Sequence, residues 1–136
     1  MQKINPMLIG DVDIGPLLKA RAKFEIFRYR IATEQEQAGA IQAFEYTYEL
    51  AWKTMKRLLD AQGIVVQSPR ATFREAALNE LIRNPEIWFD FIKVRNITVH
   101  TYDEEEIAAV LACLPLFSKE LTFFIEQIGG FRDSAV

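Results

Sequence analysis

Arg95, His100 and Tyr102 are the residues whose types and spacing suit chemistry on a phosphate. They fall in the stretch Arg95-Asn96-Ile97-Thr98-Val99-His100-Thr101-Tyr102, with four residues between the arginine and the histidine. His100 is the only histidine in the sequence, so proton exchange near neutral pH falls to it if any side chain performs it. Arg95 is a permanent cation with a planar fork of donors, suited to holding a phosphate. A structural reading competes with this one. A histidine at a helix C-terminus is favoured by the helix dipole, and an arginine one turn back can cap carbonyls.

The elements that would position these groups are helical. Apolar residues from Ile87 to Val94 recur at helical spacing, which predicts Arg95 and His100 in the last turns of a helix. The acidic run from Asp103 to Glu106 would stop or restart that helix. On an ideal helix the step from Arg95 to His100 turns about 500°, so the two side chains lie roughly 140° apart, while Tyr102 returns to within roughly 20° of Arg95. One regular helix therefore does not close Arg95 and His100 on a single small group. The spacing calls for a distorted helix end or a second copy of the chain.

The stretch resembles the Arg-x4-His-x-Tyr signature of HEPN domains, specifically the helical subunit paired with a minimal nucleotidyltransferase in two-component bacterial and archaeal modules. Upstream, Phe44-Glu45-Tyr46-Thr47-Tyr48-Glu49-Leu50-Ala51-Trp52-Lys53 is similar to the second-helix signature of that family, and Ser68-Pro69-Arg70 with Phe73-Arg74-Glu75-Ala76 is similar to its third-helix start. Together these motifs cover most of the chain from about residue 38 to about residue 128.

The resemblance implies a metal-independent endoribonuclease toxin. In that role His100 acts as general acid or base on the ribose 2′-hydroxyl or the leaving oxygen, and Arg95 binds the scissile phosphate. Asn96 orients the phosphate or simply caps the helix. A homodimer brings two copies of the motif to one cleft, with RNA or a nucleotide as ligand. The resemblance further implies a nucleotidyltransferase partner in trans that modifies Tyr102 and so blocks the phosphate site. The alternative is a substrate-binding subunit of that transferase with no turnover of its own, and a plain dimeric scaffold is a third reading.

The chain has 136 residues, half of them hydrophobic, which is enough to bury a core without staples. One cysteine, Cys113, allows no internal disulfide, and one histidine with one cysteine makes no zinc constellation. No metal and no cofactor are expected. No run is read as a membrane span and no basic-then-apolar leader opens the sequence, so the expectation is a cytoplasmic protein that does not meet a membrane. The net charge of −3 argues against broad nucleic-acid affinity. Positive charge nevertheless collects at Lys53, Lys56, Arg57, Arg70 and Arg74, and negative charge in the C-terminal third. Each of these charges is equally well a solvated helix face.

Read in order, residues 1–136 form a single domain, with 1–12 a loose arm and 129–136 a frayed tail. Asp13 or Gly15 caps a first helix with Pro16 at its opening. Thr33 to Gln37 is a turn or weak continuation, and a long second helix runs from about Gln37 to about Gln62, with Gly63 as its stop. Glu45 falls at the rim of its apolar face and is marked as a neighbour of Arg95, whereas Glu49 has a simple surface partner in Lys53. Ser68-Pro69 and Asn84-Pro85 open the third and fourth helices. The acidic run caps the fifth through Thr101 with Glu104 or Asp103 with Glu106. Pro115 should kink or interrupt that helix, and Gly129-Gly130 should end it. No strand alternation, P-loop or nucleotidyltransferase metal site is present, so nucleotide transfer needs another chain. The fold expected is an all-α, five-helix antiparallel up-and-down bundle.

Overall fold

The structure, a computed structural model, describes residues 8–134 except 10 and 101. It is an all-α bundle of five helices: α1 (Gly15–Phe27), α2 (Glu34–Ala61), α3 (Pro69–Leu78), α4 (Pro85–Thr98) and α5 (Glu104–Ser134). Two short strands precede them, β1 (Leu8–Ile9) and β2 (Val12–Asp13), paired antiparallel with Leu8 opposite Asp13 and Ile9 opposite Val12. A loose arm is expected here. Burial of Val12 and Ile14 in the core ties this segment down, while residues 1–7 lie outside the described residues.

Local chemistry sets the helix ends. Asp13 accepts from the Gly15 N–H at 2.8 Å, and Pro16 occupies the first turn of α1, where a missing donor costs nothing. Thr33 and Glu36 form a reciprocal capping box that starts α2, so the polar stretch read as a turn is the first turn of that helix. Gly63, at φ +83°, ends α2 in a Schellman arrangement: Ile64 N–H donates to Leu59 and Gly63 N–H to Asp60, both at 2.9 Å. Ser68 and Asn84 cap α3 and α4 as expected. Of the two pairs proposed for α5, Asp103 with Glu106 forms the box, at 2.8 and 3.1 Å.

Two expected helix breaks in α5 do not occur. The helix continues through the exposed Pro115, because Leu114 and Phe117 on either side of it are anchored in the core. It also continues past Gly129-Gly130 to Ser134, so the segment expected to fray is helical where it is described. Glycine weakens a helix by about 1 kcal/mol without stopping it, and the buried Phe124 and Ile128 hold the preceding turns. By length and composition α5 is also apolar enough to cross a membrane, with a mean hydropathy of 1.6, which corrects the expectation that no run reaches that length. Its apolar face is instead the wall of the core, lined by Val110, Leu114, Phe117, Leu121, Phe124 and Ile128.

Phe117 sits at the centre of that core. Its ring meets Phe24 of α1 at 5.2 Å, Phe44 of α2 at 4.9 Å, and Trp88 and Phe91 of α4 at 5.9 and 5.2 Å, all close to edge-to-face. Polar links brace the seam between α1 and α5: Arg21 donates to Thr122 at 2.8 Å, and Ser118 donates to Glu25. Burial opposes ionisation of Glu25, but its hydrogen bonds with Ser118 and Arg28 outweigh that and hold the carboxyl below its usual range. Glu120, buried on α5, pairs with Arg83 of the α3–α4 connection.

Cys113 is half-buried against the core, and burial, aided by the charge of Asp90, pushes its thiol up to about 11. The unfolded thiol gives up its proton first as pH rises. This group's contribution to stability is therefore intact below the ordinary thiol value of 9.0 and lost as pH climbs toward 11. We expect iodoacetamide at pH 8 to modify Cys113 much more slowly in the folded protein than in urea. Equal rates would show the thiol to be open to solvent.

Candidate functional site

Helix α4 delivers the Arg95 side chain against the middle of α2. Glu45 and Glu49 lie one turn apart there, so their carboxylates address the same cation. The Arg95 Nη1 stands 3.9 Å from Glu45 Oε2, and its Nε stands 3.5 Å from Glu49 Oε1. Thr98, the last residue of α4, accepts from Arg95 Nη1 at 3.4 Å and donates to the Arg95 carbonyl at 2.7 Å. The guanidinium thus lies between two carboxylates, neither of which hydrogen-bonds to it, with its Nε buried and 22% of its side chain exposed. Among the described residues Nη2 has no partner, so one end of the fork remains to donate to an anion.

Glu45 therefore stands where the helical wheel placed it, beside Arg95. Glu49 does more than its spacing suggested. Besides Lys53 at 3.8 Å, it pairs with Arg95 and accepts from Trp52 Nε1 at 3.1 Å. Only the approach of α4 reveals the pairing with Arg95. Tyr48 is buried beside the cluster. Burial first, and then the charge of Glu49, push its phenol well above the ordinary range despite the opposing pull of Arg95. The Tyr48 phenol is thus held in its neutral form.

The expectation that His100 lies in the last helical turns is corrected. Helix α4 ends at Thr98 with Val99 as its C-cap, and His100 follows in a bend, exposed, its N–H directed to Ile97 at 3.5 Å. The 140° separation on an ideal wheel does not apply across this break. The helix end is thus distorted between Arg95 and His100. The His100 side chain makes no hydrogen bond or ion pair with Arg95 among the described residues. Asn96 is exposed on the last turn of α4.

Tyr102 lines a groove of about 540 Å³ between the start of α2 and the start of α5. Gln37, Ala38 and Ile41 form one wall, Ile107 and Ala108 the other. Groove and arginine cluster are contiguous along α2. Gln37, Ala38, Ile41, Glu45 and Glu49 fall within an arc of about 120° on that helix, and Ile41 lies about 6 Å along the axis from Glu45. Among the described residues no group of three or more His, Cys, Asp or Glu side chains is gathered to hold a metal ion, and the run from Asp103 to Glu106 is used in capping.

Comparison with known proteins identifies the family and the fold. Residues 16–129 match the family model described as nucleotidyltransferase substrate binding protein like. Over 96 residues the chain is 42% identical to a Haemophilus influenzae protein named "Probable ribonuclease HepT"; the match covers 67% of this chain and 66% of that relative. Among solved structures, a Haemophilus influenzae protein described as the fold of a substrate binding domain of a nucleotidyltransferase superposes with a TM-score of 0.77 at 32% identity, over 85% of this chain and 98% of that one. A Thermus thermophilus protein superposes with a TM-score of 0.76 at 28% identity, over 82% and 98%. With the Arg95-to-Tyr102 motif and the five-helix bundle, these matches establish that the chain belongs to the nucleotidyltransferase substrate-binding family of HEPN-type helical domains.

Proposed function

We propose that this chain is the helical subunit of a two-component toxin–antitoxin module: a metal-independent ribonuclease, silenced when a minimal nucleotidyltransferase attaches nucleotide to Tyr102. The observation that carries the reading is Arg95, clamped by Glu45 and Glu49 with Nη2 left over, at the end of α4 where Asn96 and His100 stand exposed. A clamped guanidinium needs no reorganisation when charge develops on a phosphate. The working unit of this proposal is a homodimer acting in the cytoplasm, and the exposed apolar Val99 beside His100 offers a second copy a surface to cover.

In such a dimer one His100 takes the proton of the ribose 2′-hydroxyl as its oxygen bonds to phosphorus. The other returns a proton to the 5′-oxygen as the P–O bond breaks, and Arg95 holds the non-bridging oxygens throughout. Silencing follows from the α2 face shared by the groove and the arginine. A nucleotidyl group on the Tyr102 oxygen, with pyrophosphate as the leaving group from the nucleoside triphosphate, puts a negative phosphodiester and a bulky base in the space leading to Nη2. The second reading, a substrate-binding subunit without turnover, is supported by the description of the Haemophilus structural neighbour and by the carboxylates that already offset the charge of Arg95.

Incubating the protein with its transferase partner and magnesium ATP tests the reading. Mass spectrometry is expected to place nucleotidyl groups on Tyr102, with RNA cleavage in EDTA falling in step. An unmodified Tyr102 sinks the silencing mechanism. Absence of cleavage by the unmodified dimer leaves the second reading.

A further inference from the structure

Phe89 of α4 is nearly covered at the edge of the core, and two guanidiniums lie over its ring. The guanidinium of Arg70 lies 4.4 Å from its ring centroid and that of Arg74 lies 5.6 Å away. Arg70 and Arg74 are one turn apart on α3, so they present to the same side, and neither is buried. Among the described residues neither has a carboxylate within 4 Å, although Glu86 and Asp90 lie close in sequence on α4; Asp90 instead pairs with Lys93 at 3.9 Å. Two like charges held to one ring without a counter-ion repel each other, and stacking on the ring fixes the direction in which their remaining donors point. A planar, polyanionic partner relieves that repulsion.

The stack also has an address. On α4, Lys93 and Asn96 fall within about 40° of Phe89, and Asn96 is about 10 Å further along the axis, at the helix end that His100 follows. Arg70, Arg74, Lys93 and Asn96 therefore form one solvent-facing track leading to the proposed cleavage site. Its length suits one to two nucleotides of an extended strand. We propose that Arg70 and Arg74 bind the phosphate backbone of single-stranded RNA beside the bond that is cut. This contact is local and compatible with the net charge of −3. The inference rests on the nuclease reading for its substrate, but binding can be measured without cleavage.

The test uses the full chain in a His100→Ala background and a short fluorescent single-stranded RNA, with affinity read by anisotropy across a salt series. Arg70→Gln with Arg74→Gln is expected to weaken binding about tenfold or more. The slope of log affinity against log salt should become shallower by about 1.4, since each lost phosphate contact on a single strand contributes about 0.7. With His100 restored, KM for cleavage should rise while kcat stays within about twofold. Arg70→Lys with Arg74→Lys keeps both charges and should retain most of the slope, which separates charge from damage to the fold. An unchanged slope overturns the proposal. So does a glutamine pair that loses only co-purification with the nucleotidyltransferase, because the surface would then be a protein contact. If the wild-type chain binds RNA with the predicted slope difference yet cuts nothing, the track stands and the nuclease reading fails.

Discussion

Replacing His100 by alanine is expected to lower RNA cleavage by about 10²–10⁴-fold, the usual contribution of a positioned general acid or base. The structure makes this a clean experiment. His100 is exposed, lies outside α4 and makes no side-chain hydrogen bond or ion pair among the described residues, so its removal should leave the unfolding transition nearly unmoved. Arg95→Ala is expected to lose activity on a similar scale, but not cleanly. It removes the cation from Glu45 and one of the partners of Glu49, which keeps Lys53 and Trp52, and the two carboxylates, one turn apart on α2, then repel each other more strongly. Arg95→Lys separates the effects, since it keeps the cation between the carboxylates and removes the fork. Cleavage that survives His100→Ala at the wild-type rate would remove the nuclease reading.

Phe117→Ala is expected to destabilise the bundle by about 3–5 kcal/mol, the range for emptying a buried aromatic site. The upper half of that range is appropriate because the ring joins four helices at once: α5 to α1 through Phe24, to α2 through Phe44 and to α4 through Trp88 and Phe91. No single neighbour can relax into the space without abandoning its own aromatic contacts. Thermal unfolding should shift down on the order of 10–15 °C for a chain of this size. Phe117→Leu, which refills part of the volume, should recover much of the loss. A shift of only a few degrees for the alanine variant would mean that the aromatic cluster is not the centre of the fold.

The helix starts were legible wherever a short polar residue precedes a proline. Ser68-Pro69 and Asn84-Pro85 fix both the cap and the backbone angle of the first turn, and neither depends on distant packing. Thr33-x-x-Glu36 carried an equally local capping-box signal, obscured by the polar residues around it. The end of α3 was illegible for a different reason. Glu80 adopts φ +63°, a left-handed turn that usually signals glycine, and only the surrounding contacts, including Gln127 donating to its carbonyl, hold it there. Likewise Gly129 and Pro115 are stop signals by propensity, overridden by the buried stripe of α5.

The site divides along the same line. Placing Glu45 beside Arg95 required only the wheel of α2 and the assumption that α4 packs on it. Assigning Glu49 required knowing how far α4 advances, because its spacing to Lys53 already offered a complete local explanation. The position of His100 turned on where α4 stops, and no residue between Arg95 and Tyr102 marks that end by type.

The 28 residues of α2 run without interruption from the capping box at Thr33 past both carboxylates that grip Arg95. A rod of that kind has no joint between its two stations. Under the proposed modification, nucleotide carried at the tyrosine end would not bend the arginine out of place and would act as an obstruction, by bulk and by charge. It follows that the strength of the brake should scale with how many nucleotides are strung on the phenol rather than switch fully on with the first.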